Sequence, residues 1–292
     1  MASQGLPRYS FAGDECIFVE LSRDFDLAIN FKIQAICESI MKEGIPGLIE
    51  AYPGTTTYLV HYNPEEIAPK ELLKKLQNFD SKAAEFAAFE SRLIEMPILY
   101  NDPWTVECAR EFSSGHPDPS VTNLEFVAIS NGLSVPEFIK AHTGLPYLIT
   151  MKRFLPGSTA CLQMVEKSRA MSCPKYLVPR KWSPIRSLVM GGVITSISPY
   201  GSPGGYQLLG RSAVPVYDPD RKLADLKDSV LARSGDRFKL RSIDMDEYEA
   251  IRVSVEAGDY RFKIVKQRFE PLKYFDNREH YLKTLENGLR DV

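Results

Sequence analysis

The sequence has no excess of charge of either sign. Its 36 Lys and Arg nearly match its 38 Asp and Glu, leaving a formal net charge of −2, so no bulk field draws the chain to nucleic acid or to an anionic membrane. No apolar run approaches the roughly 20 residues of a membrane span, and the first eight residues, Met1 to Arg8, lack the basic-then-apolar order of a signal peptide. A cytoplasmic protein is the expectation. The five cysteines, Cys16, Cys37, Cys108, Cys161 and Cys173, are odd in number and far apart. None forms a C-x-x-C pair, which excludes a zinc knuckle or dithiol motif and predicts buried or half-buried free thiols and no metal in this chain. Internal repeats and low-complexity tails are missing too. No Gly-Lys-Ser/Thr phosphate loop occurs, and no G-x-G-x-x-G opens a helix.

What is present is long enough for two domains, at 292 residues with 44% hydrophobic and 25% charged. Glu15–Leu21 has strand composition. Ile29, Ile33, Ile36 and Ile40 then fall on one helix face, stopped by Gly44 and Pro46. Leu48–Tyr52, a Pro53-Gly54 turn and the β-branched run Thr55–His61 read as a hairpin. Pro69 opens a helix with Leu72, Leu73, Leu76 and Phe79 as its buried stripe, an Ala/Glu-rich stretch follows, and Leu93–Tyr100 is a last strand. This βαββαβ order is ferredoxin-like. Asn101-Asp102-Pro103 marks the boundary, predicting an α+β domain over 1–101 and a second domain over 102–292.

In the second domain, short helices are expected at Thr105–Phe112, Asn123–Asn131 and Ser134–His142. Strands follow at Tyr147–Phe154, Leu188–Ile197, Tyr206–Val216 and Arg237–Ile243. Met245–Glu256 reads as a helix, Tyr260–Gln267 as a returning strand and Asn277–Gly288 as a terminal helix. Strands at this spacing predict a closed or nearly closed β-barrel.

The densest punctuation runs from Gly191-Gly192 through Pro199, Gly201, Ser202, Pro203, Gly204, Gly205, Tyr206 and Gln207 to Gly210-Arg211. Glycine costs backbone entropy and proline deletes a ladder donor, so repeated use of both shapes a backbone surface. Two readings stand: a plain hairpin turn, or a wall that a ligand approaches closely, with Ser202, Gln207 and Arg211 as its polar edge. Arg211 suits bidentate pairing with a carboxylate, carbamate or phosphate. Phe154-Leu155-Pro156-Gly157 is another turn. In Lys175-Tyr176-Leu-Val-Pro179-Arg180-Lys181-Trp182-Ser-Pro184 cations alternate with aromatics and prolines. There Arg180 either stacks on Trp182 to hold a loop or faces an anion across the same cleft. His142, followed by Thr143-Gly144, either complements a helix C-terminus or moves a proton. His61, His116 and His280 have less context still and are read as structural or exposed.

Together these segments resemble the first-half carboxyltransferase domain, also called allophanate hydrolase subunit 1. That family includes a 5-oxoprolinase subunit, a sporulation-kinase inhibitor and the carboxyltransferase region of urea carboxylases. The resemblance runs from about Leu124 to Ile243. It rests on Asn131-Gly132-Leu133-Ser134 with His142, on Phe154-x-Pro156-Gly157, and on Lys175-Tyr176-x-x-Pro179-Arg180-x-Trp182-x-Pro184. Gly191-Gly192 and Pro203-Gly204-Gly205-Tyr206-Gln207-Leu208-x-Gly210-Arg211 complete the set. The Lys-Tyr-x-x-Pro-Arg-x-Trp and Pro-Gly-Gly-Tyr-Gln forms are closest to the urea carboxylase branch.

The resemblance implies a cyclophilin-like β-barrel over 102–292. It also implies a homologous second-half partner chain and a site that takes carboxybiotin from a separate carrier and passes the carboxyl group to an amide nitrogen. His142, Arg180 and Arg211 are then the catalytic candidates. Pro156, Gly157, Lys175, Tyr176, Trp182, Ser202, Pro203, Gly204, Gly205 and Gln207 are the binding candidates, with the amides of Gly204 and Gly205 as oxyanion donors. ATP would be used by a partner, either a biotin carboxylase with its carrier or, in the 5-oxoprolinase alternative, a LamB/YcsF-type subunit. A kinase-inhibiting regulatory protein is the reading from another class. Two departures stand out: Ser158-Thr159-Ala160-Cys161 after the Pro-Gly turn, where aromatic and apolar residues are usual, and Ile194, where 5-oxoprolinase-like members often carry Gln.

Overall fold

A computed structural model describes residues 6–82, 87–226 and 228–290 of the chain. The first five residues and the Ala/Glu-rich stretch at 83–86 lie outside them. The chain divides into two compact units, 1–91 with 266–283, and 92–265 with 284–292.

In the first unit β1 (Arg8–Phe11), β2 (Cys16–Glu20), β3 (Leu48–Pro53) and β4 (Thr57–Tyr62) form an antiparallel sheet in the order β1-β2-β4-β3. Helices α1 (Leu27–Lys42) and α2 (Pro69–Lys82) supply its second layer. Asp26 caps α1 by accepting from the Ala28 amide at 2.8 Å, as an N-cap aspartate does. The predicted isoleucine stripe is real: Ile33, Ile36 and Ile40 are buried with Ile17, Val19, Val60, Leu72 and Leu76, and Ile29 packs against them. Asp80 is buried at the end of α2, and Tyr9 and Tyr58 both donate their hydroxyls to it.

The α+β class holds, with one strand reassigned. β5 (Phe89–Tyr100), which contains the expected last strand of the first sheet, pairs instead in the second sheet, and the fourth place in the first is taken by β1. Its composition explains the change: Leu93, Ile94, Met96, Ile98, Leu99 and Tyr100 are all buried. That near-continuous apolar run suits a strand covered on both faces, while an edge position has one wet face.

The second unit is built on a mixed sheet of β6 (Tyr147–Lys152), β7 (Thr159–Gln163), β8 (Ser187–Gly191), β9 (Ile194–Ile197), β10 (Gln207–Ser212) and β11 (Arg237–Ser242) together with β5. The order β10-β8-β9-β7-β6-β11-β5 closes because β5 pairs with β10 as well, and β12 (Ile264–Phe269) adds outside β5. β5 runs parallel to β11, Leu93 opposite Arg237 through Ile98 opposite Ser242, and antiparallel to β10. The Arg92–Asp236 pair clamps that parallel seam, with the Arg92 backbone amide also donating to Asp236 at 3.0 Å.

Helices α3 (Pro103–Glu111), α4 (Asn123–Ser130) and α5 (Val135–Gly144) come before β6, and α6 (Met245–Ala257) follows β11. The remaining helices are α7 (Pro271–Asp276) and α8 (Arg278–Asn287). Four of the cysteines are buried, Cys16 is half-buried, and all are free thiols. Among the described residues no helix is long and apolar enough to cross a membrane.

Candidate functional site

Three of the turns singled out in the sequence meet in the second unit around a cleft of about 160 Å³. The first leaves β6. The Arg153 amide donates to the Ser158 carbonyl at 2.8 Å, and Gly157 takes φ +80. A Cβ there would stand 2.8 Å from Tyr217 Cβ and 3.0 Å from the Val216 carbonyl oxygen, so glycine is required twice over.

The second turn is tied to the third by backbone pairing. The Arg180 amide donates to the Gly204 carbonyl (2.9 Å), the Gly204 amide returns to the Arg180 carbonyl (3.1 Å), and the Tyr176 amide reaches the Gly205 carbonyl (2.7 Å). The Gly204 amide, expected as an oxyanion donor, is therefore already engaged. Gly191, at the end of β8, packs against the residue that follows Gly205. Its absent Cβ makes room for the Tyr206 ring, whose nearest carbon would be 2.4 Å away.

Arg180 dominates the cleft. It is 1% exposed, yet it lines the cavity, and its Nη1 has no hydrogen-bond partner. Nε donates to Ser183 Oγ at 3.2 Å, and the guanidinium carbon sits 4.4 Å over the Tyr176 ring. Tyr176 is fixed in turn by hydrogen bonds with Asn123. The stacked pair is thus Arg180 with Tyr176. Trp182 instead turns outward, its indole N–H donating to Glu111 at 3.3 Å and its edge meeting Phe112. Burial pulls the Arg180 pKa below the usual guanidinium range, as expected of a cation removed from water without a counter-charge.

At the rim the Arg153 guanidinium lies 5.3 Å from the Tyr206 ring centroid and 5.6 Å from that of Phe154, and Lys175 Nζ is 5.1 Å from the Tyr206 ring. Ser202, Pro203, Gly204 and Gly205 supply one wall. Among the described residues that line the cleft there is no Asp, Glu, His or Lys.

The other sequence candidates lie elsewhere. Pro156 is exposed and Gly157 is buried in the turn, and neither lines the cleft. Gln207 is fully buried, donating to the Pro174 carbonyl at 2.9 Å and meeting His116 Nε2 at 2.8 Å. Arg211 donates to the Ile185 carbonyl at 2.9 Å and covers the Trp104 ring at 4.8 Å. Burial lowers its pKa, Tyr248 opposes that, Arg186 reinforces it and Asp102 opposes it.

His142 is a core residue, 0% exposed, stacked on Phe138, with the Tyr100 hydroxyl 2.8 Å from Nδ1 and Thr195 Oγ1 3.4 Å from Nε2. Thr195 precedes the cleft-lining Ser196 on β9, on the opposite strand face. Desolvation drives the His142 pKa down to about 3. The folded state thus holds the neutral ring while the unfolded chain protonates near pH 6.5. The stability it contributes is complete above that pH and is lost as pH falls toward 3. Between about pH 7 and pH 5 this single group should remove about 2 kcal/mol. Urea unfolding at the two pH values checks it, and His142→Phe should flatten that part of the dependence.

Arg153, Ser158, Ser183, Ser196, Ser198 and Tyr206 also line the cleft, beyond the binding candidates that the sequence supplies. Ser158 carries a signal, since it opens the departure after the Pro-Gly turn. Ser196 takes its place from β9, and Arg153, Ser183, Ser198 and Tyr206 lie in the turns themselves.

Comparison with known proteins bears on the same segments. The chain is 27% identical over 252 residues to a 5-oxoprolinase subunit of Bacillus subtilis, covering 82% of this chain and 94% of that protein. It is 29% identical to the corresponding 5-oxoprolinase subunit of Escherichia coli O157:H7, covering 78% and 92%. The crystal structure of Kluyveromyces lactis urea carboxylase superposes with a TM-score of 0.78 at 22% identity, over 97% of this chain and 26% of that one, a likeness of fold. The chain therefore spans about a quarter of the K. lactis protein. The family description "carboxyltransferase domain, subdomain C and D" matches residues 7–226, which takes in the first sheet as well as the three turns of the cleft, and the chain belongs to that family.

Proposed function

We propose that this chain is the first-half subunit of a two-chain carboxyltransferase, acting with a homologous second-half subunit to move a carboxyl group from carboxybiotin to the nitrogen of a urea-like amide. The observation that carries the reading is the buried guanidinium of Arg180, with an orphaned Nη1, lining a cavity that has no acidic residue among the described ones. A carboxylate is the group such a cation lacks. The floor fits as well: a Cβ on Gly204 would lie 3.8 Å from both Arg180 Nη2 and Ser183 Oγ, so glycine keeps open the space beside the cation.

Carboxybiotin, when bound, supplies an activated carboxyl group. Arg180 holds a carboxylate oxygen and stabilises charge developing there, Ser183 and Tyr176 keep the guanidinium in place, and the Tyr206 ring screens the cleft from water. No histidine, lysine or carboxylate lines the cleft among the described residues, so the group that removes the amide proton belongs to the partner. His142 and Arg211 act as positioning residues in the barrel wall. ATP is consumed by a biotin carboxylase partner and not by this chain.

The near full-length relation to the two 5-oxoprolinase subunits favours a second reading, in which the pair cleaves a lactam with ATP and a LamB/YcsF-type subunit. Co-expression with the second-half chain separates the two. With biotin carboxylase, biotinylated carrier, ATP and labelled bicarbonate, urea or a related amide should drive label into product. A pair inert under those conditions that turns over 5-oxoproline with ATP would replace the first reading by the second.

A further inference from the structure

We propose that the Arg180 cleft is a preformed receptor for a phosphate-class tetrahedral oxyanion, complete in this chain without a second subunit. Arg180 Nη1 is buried and unpartnered. Ser183 Oγ accepts from Arg180 Nε and so keeps its own proton to give. Ser158 from the turn after β6, and Ser198 and Ser202 from the turn after β9, add hydroxyls, while the Ser196 hydroxyl is spent on the Thr159 carbonyl at 2.7 Å. Arg153 stands at the rim with its guanidinium near two aromatic rings, an arrangement that orders the cation without neutralising it.

Two guanidinium groups and four hydroxyls thus surround about 160 Å³ with no acidic residue lining it among the described ones. A carboxylate offers two coplanar oxygens and about four lone-pair sites. A phosphate dianion directs its oxygens toward all the walls at once, and serine hydroxyls accept from a P–OH as readily as they donate to a P–O⁻. Its double charge also answers both cations that line the cleft, Arg180 and Arg153, where one carboxylate answers a single one. The volume suits the free ion or a single phosphoryl group entering from the rim.

The inference rests on the proposed function only in placing activity at this cleft. There phosphate released by an ATP-consuming partner would compete with the carboxyl group. Binding to the isolated chain is measured separately, so its failure leaves carboxyl transfer by the pair untouched, and the reverse also holds.

The test is calorimetric titration of the full chain with inorganic phosphate, sulfate, acetate, bicarbonate and AMP. Phosphate should bind one to one and at least tenfold more tightly than acetate. Arg153→Met should weaken it about tenfold and Ser183→Ala severalfold, with unchanged circular dichroism, while Arg252→Met, in the cluster around Arg211, should have no effect. AMP binding as tightly as phosphate would support the site and assign its source as a phosphoryl group on a larger molecule. Phosphate no tighter than acetate, cleft variants binding like the parent, or loss confined to Arg252→Met would overturn the proposal.

Discussion

Arg180→Met is expected to lower carboxyl transfer by the assembled pair by about 10²–10³-fold, the loss seen when one preorganised oxyanion donor is removed, while leaving the melting temperature unchanged or raised. The two expectations share a cause. Arg180 is fully enclosed, and its hydrogen bond goes to a neutral hydroxyl. Desolvating a cation without a counter-ion opposes folding, and an apolar side chain of similar length removes that penalty. Activity and stability should therefore move in opposite directions, which a purely structural arginine would not produce. Arg180→Lys makes a second arm. It keeps the charge but loses the planar face that lies on Tyr176 and the fixed reach to Ser183, so activity should fall with little change in melting temperature. A large drop in stability for Arg180→Met would mean that the stacking outweighs the buried charge and that the residue serves the fold.

Gly210→Ala should destabilise the protein by about 3 kcal/mol, the upper part of the range for overpacking. β10 is the strand through which the barrel closes, paired with β8 on one side and β5 on the other. A Cβ at Gly210 would stand 2.4 Å from the Leu99 carbonyl oxygen and 2.8 Å from Tyr100 Cα. Both are backbone atoms and no rotamer change clears them, so the β10–β5 seam must part. Gly144→Ala, at the end of α5 with nothing within 4 Å of its Cβ position, should stay within about 1 kcal/mol of the parent. Urea unfolding of the three proteins decides it, and equal midpoints would show that the seam yields without cost.

The elements legible in the sequence are those whose local pattern and tertiary role agree. The isoleucines of α1, the helix that Ser134 caps and the 237–242 strand all belong to this class. β7 escapes detection because Thr159–Leu162 is buried without alternation. Leu188–Ile197 reads as one strand yet is a hairpin, since Gly192 at φ +57 turns the chain between two apolar runs. β1 is a four-residue edge strand with too little pattern to detect.

The cleft divides in the same way. Its turns are visible because glycine and proline restrict the backbone wherever they occur. The burial of Arg180 is not, because it depends on pairing with Gly204, far along the chain. His142 looks like a helix-end cation because nothing local reveals the pocket of Tyr100, Phe138 and Tyr147 that encloses it.

The parallel pairing of β5 with β11 also bears on how this chain folds. The Arg92–Asp236 contact spans 144 positions, and the intervening segment supplies most of the other barrel strands. During synthesis the apolar β5 emerges early and waits, one edge until β10 is made at residue 212 and the other until β11 is complete at residue 242. Such long-range closure is slow, because loop entropy is lost before any contact repays it. Unpaired strand edges are templates for the wrong neighbour. The barrel's stability is thus obtained through an interval of kinetic exposure.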